Sequence, residues 1–330
     1  MDIEKLSEKE RYDLLTDIAD QYYNQGKTQS EIASYYDTNR FKIAKLLQDA
    51  RTEQVVEIRI NYSNERNKEL EKELKGAFSL NKVIVVNTQY SPYLDSLRQI
   101  GKTGADYLKG ILTPDSTLGI SWGKTIYSVI SQMSEVTSNP ISAVQLAGCL
   151  KLPNPGAESR ELVRLVTAAY YGSYHYLDAP LYVQSTELKE ALMKEPLIQS
   201  TLKKAENMTA VITGIGSRSS LPVSNPAFAP YITERDVSQL EQCRGSIYGY
   251  VLNKHGQIAD IDLNQKVIAA PINHILKAPH RLAVVYGRHK AEITYYALKN
   301  NLINEILTDT DTALNLLELA IENFDYKKQI

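Results

Sequence analysis

Apolar residues in the first fifty positions recur at helical spacing. Leu14, Leu15, Ile18, Ala19 and Tyr22 line one face of a helix over residues 10–24, and Gly26 follows as its stop. Thr28 is an N-cap and Glu31, three residues on, completes a capping box, so a second helix runs to Tyr36. Asn39 caps a third helix whose Ile43, Ala44, Leu46 and Leu47 point inward. The short link between the second and third helices forces the steep crossing of a helix-turn-helix. Ala33 is the small residue at the crossing, and Asp37 tolerates the left-handed backbone that the turn demands.

From residue 82 the pattern changes. Short β-branched runs appear at 82–86, 116–121, 142–147, 208–213, 281–286 and 303–308. Amphipathic segments alternate with them at 95–111, 158–171, 233–242, 288–299 and 311–323. Strand–helix alternation predicts an α/β domain with a mainly parallel sheet. Between the two patterns lies "YSNERNKELEKELKGAFSL" at 62–80, a charged helical stretch with Leu70 and Leu74 on one face. The expected organisation is a helix-turn-helix domain over 1–61, a helical connector over 62–80, and a second domain over 81–330.

Charge sharpens the N-terminal reading. The whole chain carries a formal net charge of −2, so any nucleic-acid surface is local. Residues 39–51 hold Arg40, Lys42, Lys45 and Arg51 against Asp49 alone, whereas residues 1–38 are predominantly acidic. Lys and Arg on the third helix would neutralise phosphates, and Asn39 or Arg40 near its start would reach base edges. The plainer alternative is a solvated helical hairpin with ordinary lysines.

Composition places the chain among ordinary globular proteins, with 43% hydrophobic and 23% charged residues. The two cysteines, Cys149 and Cys243, have no metal-ligand spacing and argue for a reducing compartment. The polar N-terminus carries no apolar leader, and no run approaches the roughly 18 apolar residues of a membrane span. The expected location is cytoplasmic.

In a parallel sheet, ligands bind beyond the carboxyl ends of strands. That directs attention to "STLGISWGKTIYSVI", where a strand ends near Ser121 and a helix begins near Gly123–Lys124. Unpaired N–H groups at the helix start, the Ser121 and Thr125 hydroxyls and the Lys124 ammonium suit an anion. Gly119 to Thr125 is one residue short of a nucleotide P-loop, so ATP is discounted and a compact sugar phosphate is the better guest. Lys290 follows the 281–286 strand in the same way, and Gly214, Gly216 and Ser217 follow the 208–213 strand. Gly148–Cys149 marks a fourth strand end. Asp309 and Thr312 read most simply as an N-cap of the last helix.

The phrases "TQSEIASYY" and "KIAKLLQDARTEQVVEIRI" resemble the N-terminal domain of the SorC family of sugar-responsive transcriptional regulators. Gln29, Ile32 and Ala33 match its Gln–x–x–Ile–Ala start, and "VEIRI" at 56–60 matches its short strand. "GISWGKT" (119–125), "VQLAGCL" (144–150), "TGIGS" (213–217), "YGRHKAEITYYAL" (286–298) and "INEILTDTDTA" (303–313) follow in family order. Asp37 and Gln54 stand where the family usually has Gly, Asn39 where it has Ser, Phe41 where it often has Pro, and Cys149 where a second Gly is common.

The resemblance implies a winged-helix-like DNA reader using Gln29, Asn39, Arg40, Phe41, Lys42 and Lys45 on double-stranded operator DNA. It also implies an effector domain resembling the ribose-5-phosphate isomerase and glucosamine-6-phosphate deaminase fold. There Gly119, Ser121, Trp122, Gly123, Lys124, Thr125, Gly148, Cys149, Gly214, Gly216, Ser217 and Lys290 would surround a phosphorylated sugar, with Cys149 narrowing the pocket. Self-association as a dimer or tetramer is implied as well. No cofactor, metal site or catalytic set is expected. The rival reading is a sugar-phosphate isomerase or deaminase, for which Asp178, Asp260 and Asp262 are the available bases.

Overall fold

A computed structural model describes residues 7–58, 66–89, 91–133 and 139–328, with side chains described as far as residue 322. The chain divides into two compact units, residues 1–61 and 62–330.

The first unit contains α1 (Glu8–Tyr23), α2 (Gln29–Tyr35) and α3 (Arg40–Thr52). Their apolar faces meet in a small core of Leu15, Ile18, Ile32, Ala33, Ile43, Leu46 and Leu47. Each helix start is capped as its sequence directs. Ser7 and Thr28 form capping boxes with Glu10 and Glu31, and Asn39 Oδ1 accepts the Lys42 N–H at 2.9 Å. Asp37 takes φ 49° in the turn between α2 and α3, the left-handed conformation expected of it. Val56–Ile58 form no strand, and Arg59 and Ile60 of the expected "VEIRI" strand lie outside the described residues.

The second unit contains α4 (Lys68–Phe78), β1 (Lys82–Val86), α5 (Tyr93–Ile111), β2 (Thr117–Ile120), α6 (Lys124–Ile130), β3 (Ser142–Gln145), α7 (Ser159–Tyr170) and β4 (Ser173–His175). There follow α8 (Thr186–Met193), α9 (Pro196–Lys204), β5 (Ala210–Thr213), β6 (Gly216–Ser217), α10 (Glu234–Leu240), β7 (Cys243–Ile247) and β8 (Tyr250–Asn253). The unit ends with α11 (Asp262–Gln265), α12 (Ile272–Lys277), β9 (His280–Val285), α13 (Ala291–Lys299), β10 (Glu305–Asp309) and α14 (Thr310–Lys328).

Seven strands form a wholly parallel sheet in the order β1-β10-β9-β5-β2-β3-β4. Side chains alternate between its faces with period two. Val83, Val85, Val211 and Ala283 face one apolar layer with α4, α9, α13 and α14. Ile84, Val86, Ile212 and Leu282 face the other with α5, α6 and α7. The six expected strands are all present. The edge strand β4 and the small antiparallel sheet β6-β7-β8 are additional.

Residues 66–80 of the expected connector pack into the second unit. Leu70 and Leu74 are buried against the sheet, and the Glu71 carboxylate accepts the Val85 N–H at 3.2 Å and pairs with Arg66. An amphipathic helix beside an apolar sheet face buries its leucines there, because apolar burial outweighs the entropy of a free tether.

Candidate DNA-binding face and ligand cavity

In the first unit, Asn39, Arg40, Phe41 and Lys45 are exposed along the start of α3, while Gln29 and Lys42 are half-buried. Phe41 is 85% exposed, so its ring is available to a partner rather than to the core. Two further basic side chains nearby are tied within the helices. Arg51 donates to the Tyr23 hydroxyl at 2.9 and 2.7 Å, and Arg11 binds Asp49 and Glu53. The Tyr36 hydroxyl bonds to Asp17, tying α2 to α1. The result is a rigid three-helix frame with a basic leading edge, as a major-groove reader requires.

In the second unit, a cavity of about 830 Å³ opens beyond the carboxyl ends of β2, β5 and β9. These strands are neighbours, and the chain leaves β2 for β3 and β4 before returning to β5 on β2's other side. Such a reversal opens a crevice at the strand ends. Two turns shape its floor. Gly123 has φ 125° after β2, and Gly287 has φ 103° after β9, both in the region that favours glycine. The Gly123 N–H is held by the Ala157 carbonyl at 3.0 Å. The Gly287 N–H is held by Asp309 Oδ1 at 3.2 Å.

Ser121, Trp122, Gly123, Lys124, Thr125, Gly214, Gly216, Ser217 and Lys290, all expected from the sequence, line this cavity. Thr125 contributes differently from expectation: its hydroxyl donates to the Val284 carbonyl at 3.0 Å, tying the start of α6 to β9. Lys124 is exposed and Lys290 half-buried. Burial holds the Lys290 ammonium below its ordinary value, Lys124 pushes the same way, and Asp309 opposes both. Asp309 is 2% exposed. Its Oδ2 accepts the Thr312 N–H at 3.3 Å and its Oδ1 accepts the Thr312 hydroxyl at 2.5 Å, the N-cap that the sequence indicates.

Three expected residues stand outside the cavity lining. Gly119 lies inside β2, where a Cβ would meet Met208 Sδ at 2.4 Å; its small size serves packing. Gly148 lies against the Pro180 carbonyl, 2.4 Å from where a Cβ would be. Cys149 is exposed rather than narrowing the pocket. The chain bridges to Pro180 here, so its neighbour Leu150 turns toward the cavity instead.

Several lining residues escaped the sequence reading. Tyr248 and Gly249, with φ 57° and 98°, form the two-residue turn between β7 and β8, as a type I′ hairpin requires. The signal was present as "CRGSIYGYVLN", two alternating runs around a Tyr–Gly pair. The Tyr248 hydroxyl donates to the Leu302 carbonyl at 3.0 Å, and burial raises its pKa. Tyr93 and Tyr286 face each other at 5.5 Å between ring centroids.

The segment 218–231 carries three short 3-10 helices, Arg218–Ser220, Pro222–Ser224 and Pro226–Tyr231, and supplies Leu221 and Phe228 to the cavity wall. It is anchored where Lys266 Nζ meets Asp236 Oδ2 at 3.0 Å and the Tyr231 carbonyl at 3.3 Å. Burial would raise the Asp236 pKa, but hydrogen bonds from Thr233 and Lys266 outweigh it and hold the carboxyl below its usual value.

Among the described residues that line the cavity none is acidic, while His289 stands beside Lys290. Asp178 and Asp262, candidate bases in the rival reading, pair instead with Arg160 and Arg235. Among the described residues no cluster of three His, Cys, Asp or Glu side chains is placed to hold a metal, and no helix is long and apolar enough to cross a membrane.

A helix-turn-helix with a basic leading edge and an α/β unit with a strand-end cavity define a ligand-responsive DNA-binding regulator. Comparison with known proteins makes the assignment specific. A family model described as a sugar-binding domain matches residues 62–318. The transcriptional regulator LsrR of Enterobacter sp. (strain 638) is 30% identical over 317 residues, covering 93% of this chain and 94% of that protein. The sorbitol operon regulator of Klebsiella pneumoniae is 25% identical over 310 residues, covering 92% and 98%. The crystal structure of full-length SorC from Klebsiella pneumoniae superposes with a TM-score of 0.69 at 24% identity, covering 93% of this chain and 99% of that one. The chain belongs to the SorC family of sugar-binding transcriptional regulators, a family of regulators rather than of isomerases.

Proposed function

We propose that this chain regulates a carbohydrate-utilisation operon, and that its ligand is a phosphorylated sugar held in the cavity at the ends of β2, β5 and β9. The observation that carries the phosphate is the charge of the lining: Lys124 and Lys290 converge with no lining carboxylate. A dianion relieves the repulsion between the two ammonium groups and adds to the counter-charge that Asp309 already gives the buried Lys290. Gly123, Gly214 and Gly216 let the backbone approach the ligand, and Ser121 and Ser217 offer hydroxyls to it.

In this reading residues 1–61 are the DNA reader. Arg40, Lys42 and Lys45 meet phosphates, while Gln29, Asn39 and Phe41 meet base edges at the leading end of α3. Residues 62–330 sense the ligand and carry self-association, matching the two half-sites of a symmetric operator. The protein works in the cytoplasm, on double-stranded operator DNA, and catalyses no reaction on its effector.

The test is fluorescence anisotropy of the purified protein on its own upstream DNA, titrated with free and phosphorylated sugars. Salt-sensitive binding that a phosphorylated sugar changes, and its unphosphorylated counterpart does not, supports the reading. Equal responses to both remove the phosphate. Recovery of a chemically altered sugar would restore the enzyme reading.

A further inference from the structure

The cavity is larger and more apolar than a single sugar phosphate needs. Its volume of about 830 Å³ lies high in the range of roughly 300–1,000 Å³ typical of sites for drug-sized ligands. It also has two chemically distinct sides. One is the strand-end floor with Lys124 and Lys290. The other belongs to a separate apolar cluster in which Leu150, Leu181, Tyr182, Leu221 and Phe228 are buried, with Trp122 and Leu152 packed against them. These seven residues also line the cavity. Tyr182 and Phe228 meet edge to face at 5.2 Å, leaving a fixed aromatic wall. Asn154, Asn225, Ser219, Ser220 and Ser224 give the rim of this side some polar groups, but against the Leu150, Leu181, Tyr182 and Phe228 side chains a polyol would gain little, because its hydroxyls would lose water to apolar surface.

From this we infer that the ligand is a phosphorylated sugar bearing an apolar, ring-sized aglycone: the phosphate meets Lys124 and Lys290, and the aglycone lies against Tyr182, Phe228 and Leu152. The inference rests on the proposed phosphosugar reading and extends it to a phosphoglycoside. The sugar ring lies between, within reach of the Ser217 and Ser246 hydroxyls. Lining serines in place of carboxylates suit this ligand. Recognition divides between charge at one end and apolar contact at the other, and the ring needs no bidentate acceptor to hold it.

Trp122 is the single tryptophan of the chain and lines the cavity, so its fluorescence reports occupancy of the full-length protein. The probes are phenyl β-glucoside 6-phosphate, methyl β-glucoside 6-phosphate, glucose 6-phosphate and unphosphorylated phenyl β-glucoside. The phenyl phosphoglycoside is expected to bind about tenfold or more tighter than the methyl compound, through the apolar area that its ring buries. Phe228→Ala and Leu152→Ser are each expected to shrink that ratio toward one. Leu152 is only half-buried, so its variant tests the wall even if Phe228→Ala fails to fold. Equal affinity for the phenyl and methyl compounds, or tighter binding of glucose 6-phosphate than of either, overturns the aglycone while leaving the phosphosugar reading standing. Binding of phenyl glucoside as tight as its phosphate, or binding of none of the phosphorylated probes, removes the phosphosugar reading and this inference with it.

Discussion

Lys290→Met separates the cost of a binding site from its use. The Lys290 ammonium is partly desolvated and lies near Lys124, with Asp309 as its compensating charge. Its folded-state pKa is therefore below the ordinary lysine value of 10.5. Between that lowered value and 10.5 the unfolded chain binds more protons, so stability rises with pH through this window; below it, the penalty on the charged form is fully present. Methionine keeps the length of the side chain and removes the charge. The ligand-free variant should therefore melt higher, by about 1–2 °C for a unit of this size, and lose part of the rise in stability at alkaline pH. The same change removes a charge-assisted contact to the phosphate. Such a contact is worth about 1.5–3 kcal/mol, so affinity for a sugar phosphate should fall by a factor of about 10–150. Calorimetric melting across pH and Trp122 fluorescence titration read the two effects separately. A variant that melts lower and binds the sugar phosphate as well as the parent would refute both the strained lysine and its role.

Arg40→Ala and Lys45→Ala should each weaken DNA binding and flatten its dependence on log salt by about one phosphate contact, seen in anisotropy across salt concentrations, with effector affinity unchanged. Gln54 has φ 59°, a conformation that costs a side-chain-bearing residue about 1 kcal/mol; Gln54→Gly should raise the melting temperature of the first unit, and a drop would show that its side chain earns its place. Asp236→Ala strands the Lys266 ammonium, whose side chain is only 10% exposed, and should destabilise the second unit by about 3–5 kcal/mol in urea unfolding. Because the Asp236 pKa is lowered in the fold, its contribution is present above the unfolded value of 3.8 and is lost as pH falls through the folded one. Asp236→Asn should therefore abolish that part of the acid sensitivity.

Local signals were the legible ones. Thr28 with Glu31, Asn39 and Asp37 announce their caps and turn because each acts within four residues. The buried strands announce themselves because a sheet covered on both faces demands continuous β-branched runs. At the cavity, Ser121–Thr125 and Lys290 could be found because strand-end turns hold glycine and polar residues in a fixed order. Gly119 and Gly148 could not be separated from them, since a glycine needed for packing and one needed for a ligand are the same letter. Cys149 was misplaced because a bridge to Pro180, distant in sequence, sets its direction. The aromatic wall was hidden for a related reason: Tyr182 and Phe228 are dispersed residues brought together only by tertiary packing.

In the proposed regulator the cavity and the DNA-binding helix share one equilibrium. The most direct test is the dissociation constant of a phosphorylated sugar that binds, read by Trp122 fluorescence with and without saturating operator DNA, alongside the DNA affinity with and without that sugar. Linkage requires the two ratios to be equal, and a regulatory switch requires a factor of about 5–150. Matching ratios in that range are the predicted result. A sugar phosphate affinity that operator DNA leaves unchanged would contradict the account.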